Sequence, residues 1–118
     1  MFEGQCYCGR IQFTVTTEPA QLVDCNCTLC RRLGALWVHV PVASVRIDTS
    51  NAANVSYAQG DRTLAVQSCS HCGCTTHYET LQDDGEIMAV NFRMCEPQVL
   101  ENFRIRKFDG ADSWRFID

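Results

Sequence analysis

Seven of the nine cysteines in this chain of 118 residues lie in three short clusters. Thiols at such close spacing, in three separate places, are typical of metal sites, and an odd total argues against a complete disulfide framework. The clusters therefore favour bound zinc over disulfides. They are Cys6-Tyr7-Cys8, Cys25-Asn26-Cys27-Thr28-Leu29-Cys30 and Cys69-Ser70-His71-Cys72.

The first and third clusters together supply four sulfurs. Cys6 and Cys8 are two residues apart, so in an extended segment both side chains point to the same side. Cys69 and Cys72 have the spacing of a zinc knuckle, a tight turn whose two sulfurs converge on one ion. The two pairs predict a closed structural zinc site, although about 60 residues separate them along the chain. Such a site would contribute directly to the free energy of folding.

The middle cluster offers three sulfurs within six residues: Cys25, Cys27 and Cys30. One compact loop can place them at three corners of a tetrahedron, which leaves the fourth position for water or a substrate. We therefore expect two zinc ions per chain, one closed and one open. Cys74 stays ambiguous: it is a spare ligand, the fourth corner of the open site, or a small packed side chain.

Composition narrows the class of protein. The chain is 46% hydrophobic and 20% charged, as expected for one soluble domain, and we take residues 1–118 as a single domain. Its net charge of −4 disfavours nucleic-acid binding, which needs a basic surface. There is no apolar run of about 20 residues that would span a membrane. We expect no signal peptide and a cytoplasmic location, where thiols stay reduced. The oligomeric state is open.

Alternating apolar and polar residues predict strands rather than helices. A turn is expected at Asp83-Asp84-Gly85, and a single helical turn at residues 30–33, ended by Gly34. The pattern indicates an all-β protein whose cysteine loops lie at the ends of strands. The expected strands are 11–15, 36–40, 45–47, 55–57, 64–66, 75–80, 87–90 and 99–105.

The order of the three clusters resembles that of the glutathione-dependent formaldehyde-activating enzymes and their centromere-protein-V-like relatives. The resemblance covers essentially the whole chain, and the cysteine order is its most specific part. Asn26 stands where the family often has His, and Cys74 where it usually has a small hydroxyl residue. The matching stretches are 4–13, 25–32, 69–73, 90–93 and 108–110.

The resemblance implies a fold of coiled β-sheets with zinc-ribbon-like knuckles and a sandwich-like core organised around zinc. It implies carbon–sulfur bond formation or cleavage, the reaction that joins glutathione to formaldehyde. It also implies two zinc sites. Their ligands are Cys6, Cys8, Cys69 and Cys72 for the structural zinc, and Cys25, Cys27 and Cys30 for the second.

These observations favour a zinc-dependent carbon–sulfur lyase acting on the adduct of an aldehyde with a small thiol such as glutathione, which would be the fourth ligand of the open zinc. Arg31 follows the third ligand and is a candidate partner for a substrate carboxylate or for thiolate charge. His39 and His77 are expected to be ordinary strand residues, and His71 an exposed loop residue or a donor to a ligating sulfur. Three large aromatic side chains are expected to be core or pocket wall: Trp37, Trp114 and Phe116. The alternative is a non-catalytic zinc module that binds a thiol metabolite or a protein partner.

Overall fold

The computed structural model describes residues 1–82 and 85–118. Within them strand is the dominant regular structure, at 41% against 12% helix, so the all-β prediction is confirmed. Asp83 and Asp84, which carry the expected turn, lie outside the described residues. The strands are β1 (Phe2–Gln5), β2 (Gln12–Val15), β3 (Leu22–Cys25), β4 (Trp37–Pro41), β5 (Val45–Asp48), β6 (Asn54–Ala58), β7 (Leu64–Cys69), β8 (Thr75–Thr80), β9 (Ile87–Asn91) and β10 (Ile105–Phe108).

The strands form two sheets. The smaller sheet has the order β1-β2-β5 and is antiparallel. The larger sheet has the order β10-β3-β4-β9-β8-β7-β6, in which only the β10–β3 pair is parallel. No helix among the described residues is long and apolar enough to cross a membrane.

The main core lies where the two sheets meet. Phe13 and Val15 alternate along β2 with more exposed neighbours, so both point to one side of the small sheet. Val38 and Val40 of β4 and the nearby Phe92 meet them in one buried cluster. The Phe13 and Phe92 rings are stacked, with centroids 6.2 Å apart. Cys95 lies in this cluster, 7% exposed, as a small apolar side chain.

The described residues also include two short α-helices and two 3₁₀ helices, Val42–Ser44 and Phe92–Met94. Helix α1 (Cys30–Leu33) confirms the expected helical turn, and Gly34 ends it in the left-handed conformation, at φ 65°. The expected strand at residues 99–105 is wrong over most of its length, because α2 (Pro97–Leu100) and a turn occupy it and β10 begins only at Ile105. Its apolar residues Val99, Leu100 and Phe103 all pack on the core, which their helix-like spacing permits and a strand's alternation does not.

Candidate metal centres and the adjoining cavity

The first and third cysteine clusters come together in the fold, as the sequence predicted. The Sγ atoms of Cys6, Cys8, Cys69 and Cys72 all lie within 4.8 Å of one another. Cys6 and Cys69 are buried, at 1% and 2% exposed. We call these four residues the closed group.

Two tight turns position the closed group. β1 ends before Cys6, and the chain turns back through Gly9, which has φ 80° and donates its N–H to the Cys6 carbonyl oxygen at 3.0 Å. β7 ends at Cys69, and Gly73 repeats the arrangement with φ 82° and a 2.9 Å bond to the Cys69 carbonyl oxygen. Glycine suits both positions because this backbone conformation disfavours side chains. Each turn aims its two sulfurs at the other turn.

The donor set and spacing of the closed group fit zinc. Cys8 Sγ lies 3.6 Å from Cys6 Sγ and 3.7 Å from Cys69 Sγ. Tetrahedral zinc with Zn–S bonds of 2.3 Å would hold its sulfurs about 3.8 Å apart. Backbone N–H groups also point at the sulfurs: Ile11 donates to Cys6 at 3.3 Å, and His71 donates to Cys69 at 3.4 Å.

The thiols of the closed group differ in their pKa values. Burial raises the pKa of Cys6 to about 11. Burial also pushes the pKa of Cys72 upward, but backbone hydrogen bonds and the neighbouring thiols outweigh it and lower the value to about 6. Hydrogen bonds that favour a thiolate suit a metal ligand. Cys74 lies outside both metal-compatible groups and packs against the closed one.

The middle cluster forms a second group, which we call the open group: Cys25, Cys27 and Cys30. Cys25 is the last residue of β3, Cys27 follows in the loop, and Cys30 is the first residue of α1. Their Sγ atoms lie within 4.8 Å of one another, and all three are half-buried. No other His, Cys, Asp or Glu of the described residues joins them. Three soft donors at this spacing fit a zinc ion with one free position.

Hydrogen bonds orient two sulfurs of the open group. The Cys30 backbone N–H donates to Cys27 Sγ at 3.2 Å, and the buried Trp37 Nε1–H donates to Cys30 Sγ at 3.3 Å. Burial raises the pKa of Cys30, while the Trp37 bond acts in the opposite direction. Trp37 therefore favours the thiolate form that a metal needs.

The chain after β10 closes over the open group. β10 pairs in parallel with β3 and places Phe108 opposite Cys25. Two residues later Gly110 passes so close that a Cβ atom there would lie 2.6 Å from Cys25 Sγ. The Asn26 side chain holds this crossing, because Nδ2 donates to Asp109 Oδ1 and Oδ1 accepts from the Ala111 N–H, both at 3.0 Å.

A cavity of about 800 Å³ opens beside the open group and includes all three of its cysteines in the lining. This volume lies in the range of small-molecule sites. One wall is aromatic and comes from β10 and the chain after it: Phe108, Trp114 and Phe116. The rim carries polar groups that include Gln21, Arg32, Gln59, Asp61 and Thr63.

The two arginines of α1 differ in position. Arg32 lines the cavity and donates from Nη1 to the Thr28 carbonyl oxygen at 2.8 Å. Arg31, the arginine that the sequence favoured, is exposed and is not among the lining residues. Its role toward a substrate stays a prediction, and Arg32 is the better placed of the two.

The three histidines lie in different surroundings. His39 faces the cavity, with Nε2 2.9 Å from the Tyr78 hydroxyl. Its ring is accessible from the cavity, yet the protein packed around it lowers its pKa by burial. His77 is 2% exposed, and burial lowers its pKa to about 4. His71 is exposed, and the bond that it gives to Cys69 comes from its backbone, not its ring.

Comparison with known proteins agrees with this arrangement. The family model of the glutathione-dependent formaldehyde-activating enzyme matches residues 1–104, which include both cysteine groups. The chain belongs to this family. Membership of this family implies a glutathione-dependent activity related to formaldehyde, with glutathione and formaldehyde as the substrates.

A solved structure shares the fold of this family member. It is a crystal structure of a Rhodobacter sphaeroides protein, 26% identical in sequence, with a TM-score of 0.70. The match covers 87% of the present chain and 98% of that one. The two-sheet architecture is therefore shared with an experimentally determined structure.

Sequence reasoning missed three contributors to the site. Trp37 was expected to be core or pocket wall, and its hydrogen bond to Cys30 was not anticipated. Gly110 and Asn26 gave no signal of contact, because the residues they meet are about 85 positions away. The sequence Phe108-Asp109-Gly110 was noted only for its resemblance to the family.

Proposed function

We propose that this protein is a zinc-dependent carbon–sulfur lyase that acts on the adduct of an aldehyde with a small thiol such as glutathione. The proposal rests on the build of the open group. Its three sulfurs converge, no fourth ligand joins them among the described residues, and all three cysteines line a cavity. A closed structural site would have no use for such a cavity.

Two zinc ions per chain are proposed. Cys6, Cys8, Cys69 and Cys72 would hold one as a structural ion, and the three cysteines of the open group would hold the other. When bound at the open group, zinc would accept the substrate sulfur as its fourth ligand and stabilise it as a thiolate. The closed group would fix the N-terminal turn to the β7–β8 turn and so stabilise the fold.

The protein's own residues would bind and orient the adduct. Arg32 at the rim suits a carboxylate of the thiol, and Asp61 suits an ammonium group, both of which glutathione carries. Trp37 holds Cys30 in place. In the cleavage direction the carbon–sulfur bond breaks, its electron pair leaves with sulfur, and the adduct hydroxyl loses its proton to water as the carbonyl forms. The addition direction is the reverse. We expect this chemistry in the cytoplasm, where free thiols persist.

The test is a rate measurement on S-hydroxymethylglutathione. Zinc-loaded protein should accelerate its formation and cleavage over buffer, and Cys27→Ser should abolish that acceleration while remaining folded. Cys74→Ser is the matched control, since it also removes one thiol but lies outside both groups. It should keep the activity of the parent protein.

A different outcome would favour the alternative function. If glutathione binds to the open group but no adduct is formed or cleaved faster than in buffer, the protein is a non-catalytic zinc module. Its ligand would then be a thiol metabolite or a protein partner.

A further inference from the structure

The chain after β10 forms a strap, residues 109–118, that lies beyond the part matched to the family, residues 1–104. The strap is tied to the open group at its start by the two Asn26 hydrogen bonds. The Asp109 carboxylate then accepts from the Ser113 N–H at 3.0 Å and from the Ser113 hydroxyl at 2.8 Å, which tightens the turn. Its placement beside the cysteines is therefore specified by several polar contacts.

The strap brings an indole ring next to the reacting position. A Cβ atom at Gly110 would meet Cys25 Sγ at 2.6 Å and a Trp114 ring carbon at 3.6 Å. Trp114 is thus within van der Waals reach of the residue that abuts a sulfur of the open group. Trp114 also has φ 59°, a conformation that is costly for a bulky residue. Backbone strain of this kind is enriched at functional sites.

Trp114 belongs to a cluster of three aromatic rings, which we call the aromatic wall: Phe108, Trp114 and Phe116. Phe108 meets the other two rings edge-on, with centroids 5.0 Å and 5.1 Å away. Arg106 covers Phe116, its guanidinium carbon 3.9 Å from the ring centroid. All three rings line the cavity, yet Trp114 stays 71% exposed and Phe116 37% exposed. An apolar surface is left uncovered in the cavity beside the reactive sulfurs.

We propose that the aromatic wall binds an apolar substituent on the aldehyde carbon, so that this protein prefers adducts of aryl or branched aldehydes to the adduct of formaldehyde. The inference rests on the proposed function. In a thiol–aldehyde adduct the aldehyde carbon is bonded directly to the sulfur, so its substituent begins beside Trp114. Formaldehyde places only hydrogen there and leaves the wall exposed to water. A phenyl or branched alkyl group would cover it and gain binding energy from buried apolar area.

Other side chains of the cavity can bind the charged groups of the thiol. Arg32 and Asp61 line the cavity and are exposed, so a carboxylate and an ammonium group can be bound by side chains other than those of the aromatic wall. A cavity of about 800 Å³ has room for both halves of such an adduct. The bond changes are those of the proposed reaction, with no oxidation or reduction: the carbon–sulfur bond breaks, sulfur keeps the electron pair, and the hydroxyl proton goes to water.

Binding is tested first with two unreactive thioethers, S-benzylglutathione and S-methylglutathione, followed by tryptophan fluorescence. A blue shift reports on Trp114, which is 71% exposed in the free protein. Trp37 lines the same cavity, so the titration is repeated on Trp114→Phe to measure the contribution of Trp37. We expect the benzyl compound to bind the zinc-loaded protein at least tenfold more tightly, with a blue shift. Calorimetry on Trp114→Ala should show that preference lost, and on Trp114→Phe largely retained. Equal affinities of the parent protein for the two thioethers would overturn the inference.

Turnover is tested with the glutathione adducts of phenylglyoxal, methylglyoxal and formaldehyde. We expect the highest kcat/KM for the phenylglyoxal adduct, and Trp114→Ala should lower that value about 10- to 100-fold. Val55→Ala, an exposed β6 position that is not among the residues lining the cavity, is the control and should change none of the values. A parent protein that cleaves the formaldehyde adduct at least as well as the phenylglyoxal adduct contradicts the inference and leaves the proposed function standing. Cleavage of none of the three overturns both.

Discussion

Both cysteine groups bring their sulfurs within 4.8 Å of one another, but their surroundings differ. The closed group has four sulfurs from two distant turns, and two of its members are almost completely buried. The open group has three sulfurs from one short stretch, all half-buried, with a cavity on the free side. A metal that joins distant segments adds to folding stability, whereas one held by a single loop leaves the fold largely independent of it. The comparison predicts a structural role for one group and a chemical role for the other.

The largest effect should come from removing one ligand from each group. Cys72→Ser should lower the free energy of unfolding by more than about 4 kcal/mol, because it disrupts a site coupled to folding. Cys27→Ser should cost less than about 1.5 kcal/mol and lose only the second metal. Chemical denaturation and metal analysis of both variants, with Cys74→Ser as control, measure the difference. Equal destabilisation would mean that the two groups do not have separate roles.

Lowering the pH protonates the cysteine thiolates and also destabilises the protein scaffold that carries them. The scaffold's contribution to the loss of unfolding free energy must therefore be measured separately. His77 lies in β8 and is kept neutral by burial, with its pKa lowered to about 4. Between that value and the unfolded value of about 6.5, only the unfolded chain binds the proton, so stability falls as the pH falls. The full loss is roughly 3 kcal/mol by pH 4.

His77→Gln tests this share directly. The variant should show a weaker decrease in unfolding free energy from pH 7 to pH 5 than the parent protein. Parallel curves would show that His77 does not contribute to the acid sensitivity.

Gly110→Ala should damage the open group and spare the closed one. The new methyl group would lie 2.6 Å from Cys25 Sγ, so either the strap or the sulfur must move. We expect a loss of about 1–3 kcal/mol in stability and at least a tenfold weaker second metal site. Gly60→Ala is the matched control, because it lines the same cavity with nothing within 4 Å of the added atom. Similar metal loss in both variants would exclude the close approach at Gly110 as the cause.

The smallest expected effect belongs to a single hydrogen bond. Trp37→Phe keeps an aromatic ring but removes the donor to Cys30 Sγ. Zinc affinity of the open group should fall about tenfold, with the closed group unchanged. Competition with a chromogenic chelator resolves the two sites. An unchanged affinity of the second site would show that the Trp37 bond does not support the open group.

Sequence reasoning succeeded where the chemistry is local. The knuckle spacings, the glycine that ends α1 and the alternation along β2 each depend on neighbouring residues, and the structure places these as expected. The pairing of two distant cysteine clusters also followed, because each cluster alone supplies only half of a tetrahedral site.

Contacts made by distant, weakly patterned segments were missed. β3 and β10 pair in parallel and join residues about 83 apart, a contact that no pattern along either strand indicates. That pairing carries Gly110 to Cys25 and the aromatic wall to the cavity. Trp114 and Phe116 were assigned only to core or pocket wall. Their exposure follows from the tertiary path of the strap, which no local pattern encodes.

The central claim is that the open group has a position free for a thiol while the closed group does not. The most direct measurement is the visible spectrum of cobalt-substituted protein during titration with glutathione. We expect a shift toward the spectrum of a four-sulfur site, arising from one of two bound ions and absent in Cys27→Ser. No spectral change at millimolar glutathione, with both sites loaded, would contradict it.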